Sequence, residues 1–171
     1  MNKHILAILV ENQPSVLSKV VGLFSRRGFN IHSLAVGVTE DPGVSRITIV
    51  AEGDEYILEQ ISKQLNKLID VIKVSNISED AIARELALIK VHATQSTRNE
   101  IVEIVNIFRE KIVDITKNSV TIQVTGDSKK MAALEEMLRD FGIKELVRTG
   151  MIAVDRGSKA IQISNGRKDG A

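Results

Sequence analysis

The chain has 171 residues, 43% hydrophobic and 26% charged, a composition that belongs to ordinary globular proteins and excludes a disordered or fibrous one. Its 23 basic and 22 acidic residues leave a formal charge of +1, which supplies no field to hold a nucleic-acid backbone or an anionic membrane. Cysteine is absent, so disulfides, thiolate nucleophiles and sulfur-ligated metals are excluded together, and a reducing compartment fits.

Isoleucine and valine supply 22 and 18 residues against 3% aromatics, and the predicted elements are accordingly rich in β-branched strands. Residues 4–11 are apolar on both alternating rows, the pattern of a strand covered on both sides or central in its sheet. That apolar run ends at Glu11, too short for a secretory core of ~7–15 residues or a span of ~20, and a cytoplasmic protein is expected. Pro14 suits a first helical turn, Val16, Leu17, Val20, Val21 and Phe24 form one stripe, and Gly28 after Arg26 and Arg27 reads as a C-terminal cap. Asn30–Thr39 and Val44–Glu52 make a hairpin around Asp41, Pro42 and Gly43. Asp54 caps a second helix striped by Ile57, Ile61, Leu65 and Leu68, and Ile69–Ile77 returns as a strand.

After a polar hinge at Ser78–Ala83 the same order starts again. Glu85–Ala93 is a strand, and Thr97 with Glu100 makes a capping box for a helix striped by Ile101, Ile104, Val105 and Phe108. Ile112–Lys117 and Val120–Thr125 form a second hairpin. Met131, Leu134, Leu138 and Phe141 stripe a last helix after Gly126, Asp127 and Ser128, and Ile143–Val154 supplies a last strand. The chain therefore reads as α+β, two ferredoxin-like βαββαβ domains over 1–78 and 79–157, with a mobile tail over 158–171.

Catalytic signatures are missing. His4, His32 and His92 lie far apart without metal-ligand spacing, and no nucleophile elbow, P-loop or dinucleotide fingerprint occurs. The βαββαβ order is shared by RNA-recognition modules, which stack bases on aromatic residues of the sheet. Here Phe24, Phe108, Phe141 and Tyr56 fall on predicted helices and Phe29 just after one, which argues against RNA.

One turn has the form of a site. Between the first strand and helix, the amides of Ser15, Val16 and Leu17 lack helical partners and can face a small carboxylate at the positive end of the helix dipole, with the Asn12 carbonyl beside them for an ammonium. The same residues also suit a plain helix cap by Asn12 or Gln13. The second strand is expected at a sheet edge, and Leu34, Ala35, Val36, Gly37 and Val38 carry no charge or proline to discourage pairing. Chain direction puts Asn30 at the opposite end of the domain from Asn12. Two domains pairing these edges antiparallel would bring Asn30 and Ile31 of one beside the Asn12–Leu17 turn of the other. Asn30 equally suits a plain exit from Gly28.

The run Glu11-Asn12-Gln13-Pro14-Ser15-Val16-Leu17, with Gly22 to Leu34, closely resembles the ACT domain of the acetohydroxyacid (acetolactate) synthase small regulatory subunits. Ser45-Arg46-Ile47-Thr48-Ile49 and Glu59 to Val71 resemble the same family's third strand and second helix. Arg84 to Val91 and Arg148-Thr149-Gly150 resemble its C-terminal domain. The resemblance implies a noncatalytic chain that binds and activates the large catalytic subunit and confers feedback inhibition by valine, in branched-chain amino-acid synthesis. Thiamine diphosphate, magnesium and FAD would sit on that partner, and none on this chain. Valine would lie between paired ACT domains of a homodimer, held by Asn12, Ser15, Val16 and Leu17 of one protomer and Asn30 and Ile31 of the other. The family usually has glycine at Ser15, where a missing Cβ admits a ligand. The alternative from another class is a free-standing amino-acid-sensing ACT module acting on another protein, such as a transcription factor.

Overall fold

Alternating strands and amphipathic helices leave each sheet one face to be covered by its own helices. The computed structural model describes residues 2–163 and divides into two units, one holding the residues up to Ile82 with those from Met151 onward, the other Ala83–Gly150. In the first, β1 (Asn2–Glu11), α1 (Val16–Arg26), β2 (Ile31–Val38), β3 (Val44–Gly53), α2 (Glu55–Leu65) and β4 (Val71–Ile77) give an antiparallel sheet in the order β2-β3-β1-β4. In the second, β5 (Ile82–His92), α3 (Arg98–Ile107), β6 (Lys111–Ile115), β7 (Ser119–Gly126), α4 (Ser128–Arg139) and β8 (Ile143–Arg148) repeat it as β6-β7-β5-β8. Both are ferredoxin-like βαββαβ arrangements. No helix among the described residues is long and apolar enough to cross a membrane.

The first core explains the double apolar row of β1. Leu6, Ile8 and Val10 pack with Ile47 and Ile49 of β3 against Val16, Val20, Leu23 and Phe24 of α1 and Leu58, Ile61 and Leu65 of α2. The other row faces away from these helices, yet Ala7 and Leu9 are 0% and 5% exposed. Their register neighbours Thr48 and Arg46 lie on that second face, and Thr48 is buried too. The second core has the same plan, with Ile89, Val91, Ile122 and Val124 under Ile101, Val105, Met131, Leu134 and Leu138.

The cap expected at Asp54 forms, its carboxylate accepting from the Ile57 amide at 2.8 Å, and the Asp127 carboxylate accepts likewise from the Lys130 amide at 2.8 Å. Three local expectations need correction. Pro14 precedes α1, whose N-cap is Ser15. Thr97 makes no cap bond to its helix, because its hydroxyl accepts from the Thr94 amide at 2.9 Å, so the capping box with Glu100 does not form. Ile69 is 96% exposed and lies in a turn before β4, where the Val71 amide donates back to Leu68.

The larger departure is at the end of the chain. The strand expected over Ile143–Val154 is two, β8 and β9 (Ile152–Val154), separated at Gly150, whose φ of 83° is open to glycine at no steric cost. The division expected at residues 79–157 shifts accordingly, because the chain from Met151 rejoins the first unit. The Met151 amide donates to Ser33 Oγ of β2 at 2.7 Å and Arg46 Nη2 of β3 donates to the Ala153 carbonyl at 2.6 Å. Beyond β4, the Ser78 amide and hydroxyl both donate to Asp155 Oδ1, at 2.9 and 2.6 Å, and Arg156 Nε donates to the Asp80 carbonyl. The expected hinge at Ser78–Ala83 is thus fastened at Ser78 and Asp80. Residues 158–163 of the expected tail have no regular structure, although Lys73 donates to the Gln162 carbonyl; residues 164–171 lie outside the described residues.

Asp155 is shaped by these contacts. The Ser78 hydroxyl, then the Ser78 amide, then Lys159 favour the carboxylate and bring its pKa down to about 2. Burial lowers the pKa of the Arg46 guanidinium, and the charge of Asp155 opposes that shift.

Candidate effector-binding site

The turn after β1 is built around one unusual backbone position. Ser15, the N-cap of α1, has φ 69° and ψ −7°, the left-handed region that a residue with a Cβ rarely enters. Its hydroxyl makes no capping bond. A helix whose cap side chain is not used leaves its first amides open. The Val16 amide reaches the Gln13 carbonyl only at 3.5 Å, and among the described residues no partner accepts from the Ser15, Leu17 or Ser18 amides. No acidic side chain lies in the first turn, so the positive helix end is uncompensated there. Lys19, one turn on, is paired with Asp70 at 2.6 Å.

Asn12 does not cap the helix. Its backbone amide donates to the Gly43 carbonyl at 2.8 Å, and its side-chain amide to the Pro42 carbonyl at 2.9 Å. The Ser45 hydroxyl donates to Asn12 Oδ1 at 3.2 Å, which leaves a second lone pair on that oxygen for an outside donor. The β2–β3 hairpin thus fixes the turn. Ser45 and the Pro42 carbonyl were not legible as site residues, since nothing local in the sequence pairs them with Asn12. Of the turn residues, Val16 is buried at 3% and anchors the helix, whereas Leu17 at 40% exposure lies at the surface.

Asn30 and Ile31 sit elsewhere. Helix α1 ends in a two-bond motif, with the Phe29 amide donating to the Phe24 carbonyl and the Gly28 amide to that of Ser25. Gly28 takes φ 69°, and the rings of Phe24 and Phe29 meet edge-on at 6.4 Å. This is the glycine-terminated helix end read from the sequence, with its apolar contact in place. It delivers an exposed Asn30 into the start of β2. Ile31 pairs with Ala51 of β3, whereas Glu11 pairs with Val44. Seven residues of β3 separate these levels, about 23 Å at the ~3.3 Å rise of a strand. One unit therefore does not bring Asn12 and Asn30 to a common small ligand.

Strand β2 is the terminal strand of its sheet. Leu34 packs partly against the first core, while Val36 and Val38 are 47% and 60% exposed. Ala35 and Gly37 complete an edge free of charge and proline, the condition that leaves a strand open to pairing. The histidines form no centre: His32 Nε2 is 2.8 Å from Lys3 Nζ, and His4 Nε2 is 3.2 Å from the Gly53 carbonyl. Among the described residues no group of three or more His, Asp or Glu side chains is placed to hold a metal.

Comparison with known proteins covers both units. A family model for an AHAS small subunit-like ACT domain matches residues 6–73, and one for the small subunit of acetolactate synthase matches 84–157. The chain is 57% identical over 157 residues to a probable acetolactate synthase small subunit from Archaeoglobus fulgidus, covering 92% of this chain and 99% of that one. It is 52% identical over 159 residues to the acetolactate synthase small subunit of Mycolicibacterium smegmatis, covering 92% and 94%. The crystal structure of the acetolactate synthase small subunit from Thermotoga maritima matches with a TM-score of 0.87 at 41% identity, over 93% of this chain and 100% of that one.

Proposed function

The chain belongs to the acetolactate synthase small-subunit family and is a regulatory subunit of an enzyme, and from that premise we propose that it activates the large catalytic subunit and makes it sensitive to valine. In this reading two chains pair through Leu34, Ala35, Val36, Gly37 and Val38. One protomer holds the effector with Asn12 and the amides of Ser15, Val16 and Leu17, and the other with Asn30 and Ile31. Thiamine diphosphate, magnesium and FAD belong to the catalytic partner, and this chain binds no nucleic acid or membrane and works in the cytoplasm.

The observation that carries this reading is the pairing of open amides with an open edge. Amides without acceptors at the start of α1 suit the carboxylate of an amino acid, and the free lone pair of Asn12 suits its ammonium. An effector bridging two protomers shifts the paired state in proportion to its preference for it. The test is valine titration into enzyme reconstituted from this chain and the large subunit, with direct calorimetry on this chain alone. Activation with valine-dependent loss of rate supports the proposal; a chain that neither raises the rate nor confers sensitivity refutes it.

A further inference from the structure

Resting on that reading, we infer that the segment Met151–Asp155 relays effector occupancy to the second unit, with Ser33 and Arg46 as the positioning residues that fasten it to the effector-binding sheet. The polypeptide passes between the units twice, at Ile82–Ala83 and again at Gly150–Met151. The second passage is bonded on both sides. On the side of the second unit, the Thr149 amide donates to the Leu86 carbonyl at 3.0 Å and the Leu86 amide donates to Thr149 Oγ1 at 3.1 Å. Arg148 beside it reaches Glu85 at 3.5 Å and Glu135 at 2.6 Å. The Arg148-Thr149-Gly150 motif is therefore the fastening of the return passage. On the other side, the next amide along, that of Met151, donates to Ser33 at 2.7 Å, and Arg46 holds the Ala153 carbonyl at 2.6 Å.

The position of Ser33 gives these bonds their meaning. It is the third residue after Asn30 in β2, and the β2–β3 register shifts between Ile31 and Ser33. A bulge is a place where a strand changes twist and re-aims its side chains at low cost. A ligand gripping Asn30 and Ile31 acts on one side of the bulge, and the hydroxyl that accepts from Met151 sits on the other. Arg46 of the inner strand β3 stands opposite Gly37, a residue of the pairing edge, so closure of that edge reaches the same segment at a second point. Two anchorages on the effector-binding sheet, one beside the bulge and one beside the pairing edge, give one ligand two points at which to bias the docked state of this segment.

Ser33→Ala and Arg46→Met test this, since neither residue is among those proposed to touch the effector. Each variant, reconstituted with the large subunit, is expected to activate as the parent does and to bind valine with unchanged affinity by calorimetry. At saturating valine the residual rate of each variant is expected to stand about fivefold or more above the parent's, the lower end of ordinary coupling. Hydrogen exchange gives a second readout: valine slows the amides of Met151–Val154 in the parent and not in the variants. Parent-like inhibition in both variants, or no valine response at Met151–Val154 in a parent that is inhibited, overturns the relay. A parent that binds no valine overturns the effector reading itself and the relay with it. A variant that loses valine binding or activation marks its residue as part of the site or the fold and overturns the relay too.

Discussion

Replacing Ser15 with glycine is the most direct probe of the turn before α1. The residue holds φ 69° without a capping bond and is exposed, so its side chain contributes neither a hydrogen bond nor burial there. Left-handed geometry costs a residue with a Cβ about 1–2 kcal/mol, and glycine removes that cost. Glycine also brings extra freedom to the unfolded chain, worth about 0.5–1 kcal/mol against folding. The difference leaves Ser15→Gly more stable by about 0.5–1 kcal/mol, and at this chain length each kcal/mol moves a midpoint by about 2–4 °C. Differential scanning calorimetry of parent and variant reads this shift. Ser15→Val, which carries a β-branched side chain into the same geometry, is expected to melt lower than the parent. A glycine variant melting below the parent would refute the assignment of strain to Ser15. Valine calorimetry on the same proteins adds the functional half: removing the Cβ beside the Val16 and Leu17 amides tightens binding, and an unchanged affinity places the effector elsewhere.

Asn30→Asp sets a negative charge against the ligand carboxylate and is expected to raise the valine requirement about tenfold, near the 1.4 kcal/mol that such a factor represents; unchanged inhibition in the reconstituted enzyme removes Asn30 from the site. Val36→Lys puts a charge on the open edge, and sedimentation is expected to find monomer with unchanged circular dichroism; persistent dimer assigns pairing to another surface. Asp155 has a lowered folded-state pKa of about 2 against an ordinary ~3.9 in the unfolded chain. Its contribution to docking the return segment is therefore complete above about pH 4 and lost as pH falls from there towards 2. Hydrogen exchange at Met151–Asp155 across that window reads the loss, and Asp155→Asn is expected to flatten it; equal pH dependence in both proteins refutes the role of the carboxylate.

Much of this protein is written in short-range chemistry. Of the stripe read as Val16, Leu17, Val20, Val21 and Phe24, the residues Val16, Val20 and Phe24 are buried, whereas Val21 is half-buried and Leu17 exposed. Asp54 and Asp127 cap their own helices within three residues, and Gly28 ends α1 through bonds that span at most five positions. The double apolar row of β1 announced a strand covered on both sides or central in its sheet, and β1 lies between β3 and β4 with both rows buried. For the caps and the helix end the partner groups are sequence neighbours, so residue type and spacing are enough.

The rest depended on groups that meet only after the strands find their register. Asn12 was read as a cap or a ligand, yet its side chain is held by Pro42 and Ser45, 30 and 33 residues away. That contact forms because Glu11 and Val44 end a ladder together. The left-handed Ser15 follows from the same constraint, since a turn tied at Asn12 has few conformations left in which to start its helix. The run Ile143–Val154 carries a strand-like pattern throughout, but Gly150 breaks it, and Met151 then finds Ser33 across 118 residues. Pattern along the chain specifies which faces seek cover. Only the closed sheet, with its edge strand and its uncovered side in place, specifies that the chain's own return segment bonds across that side.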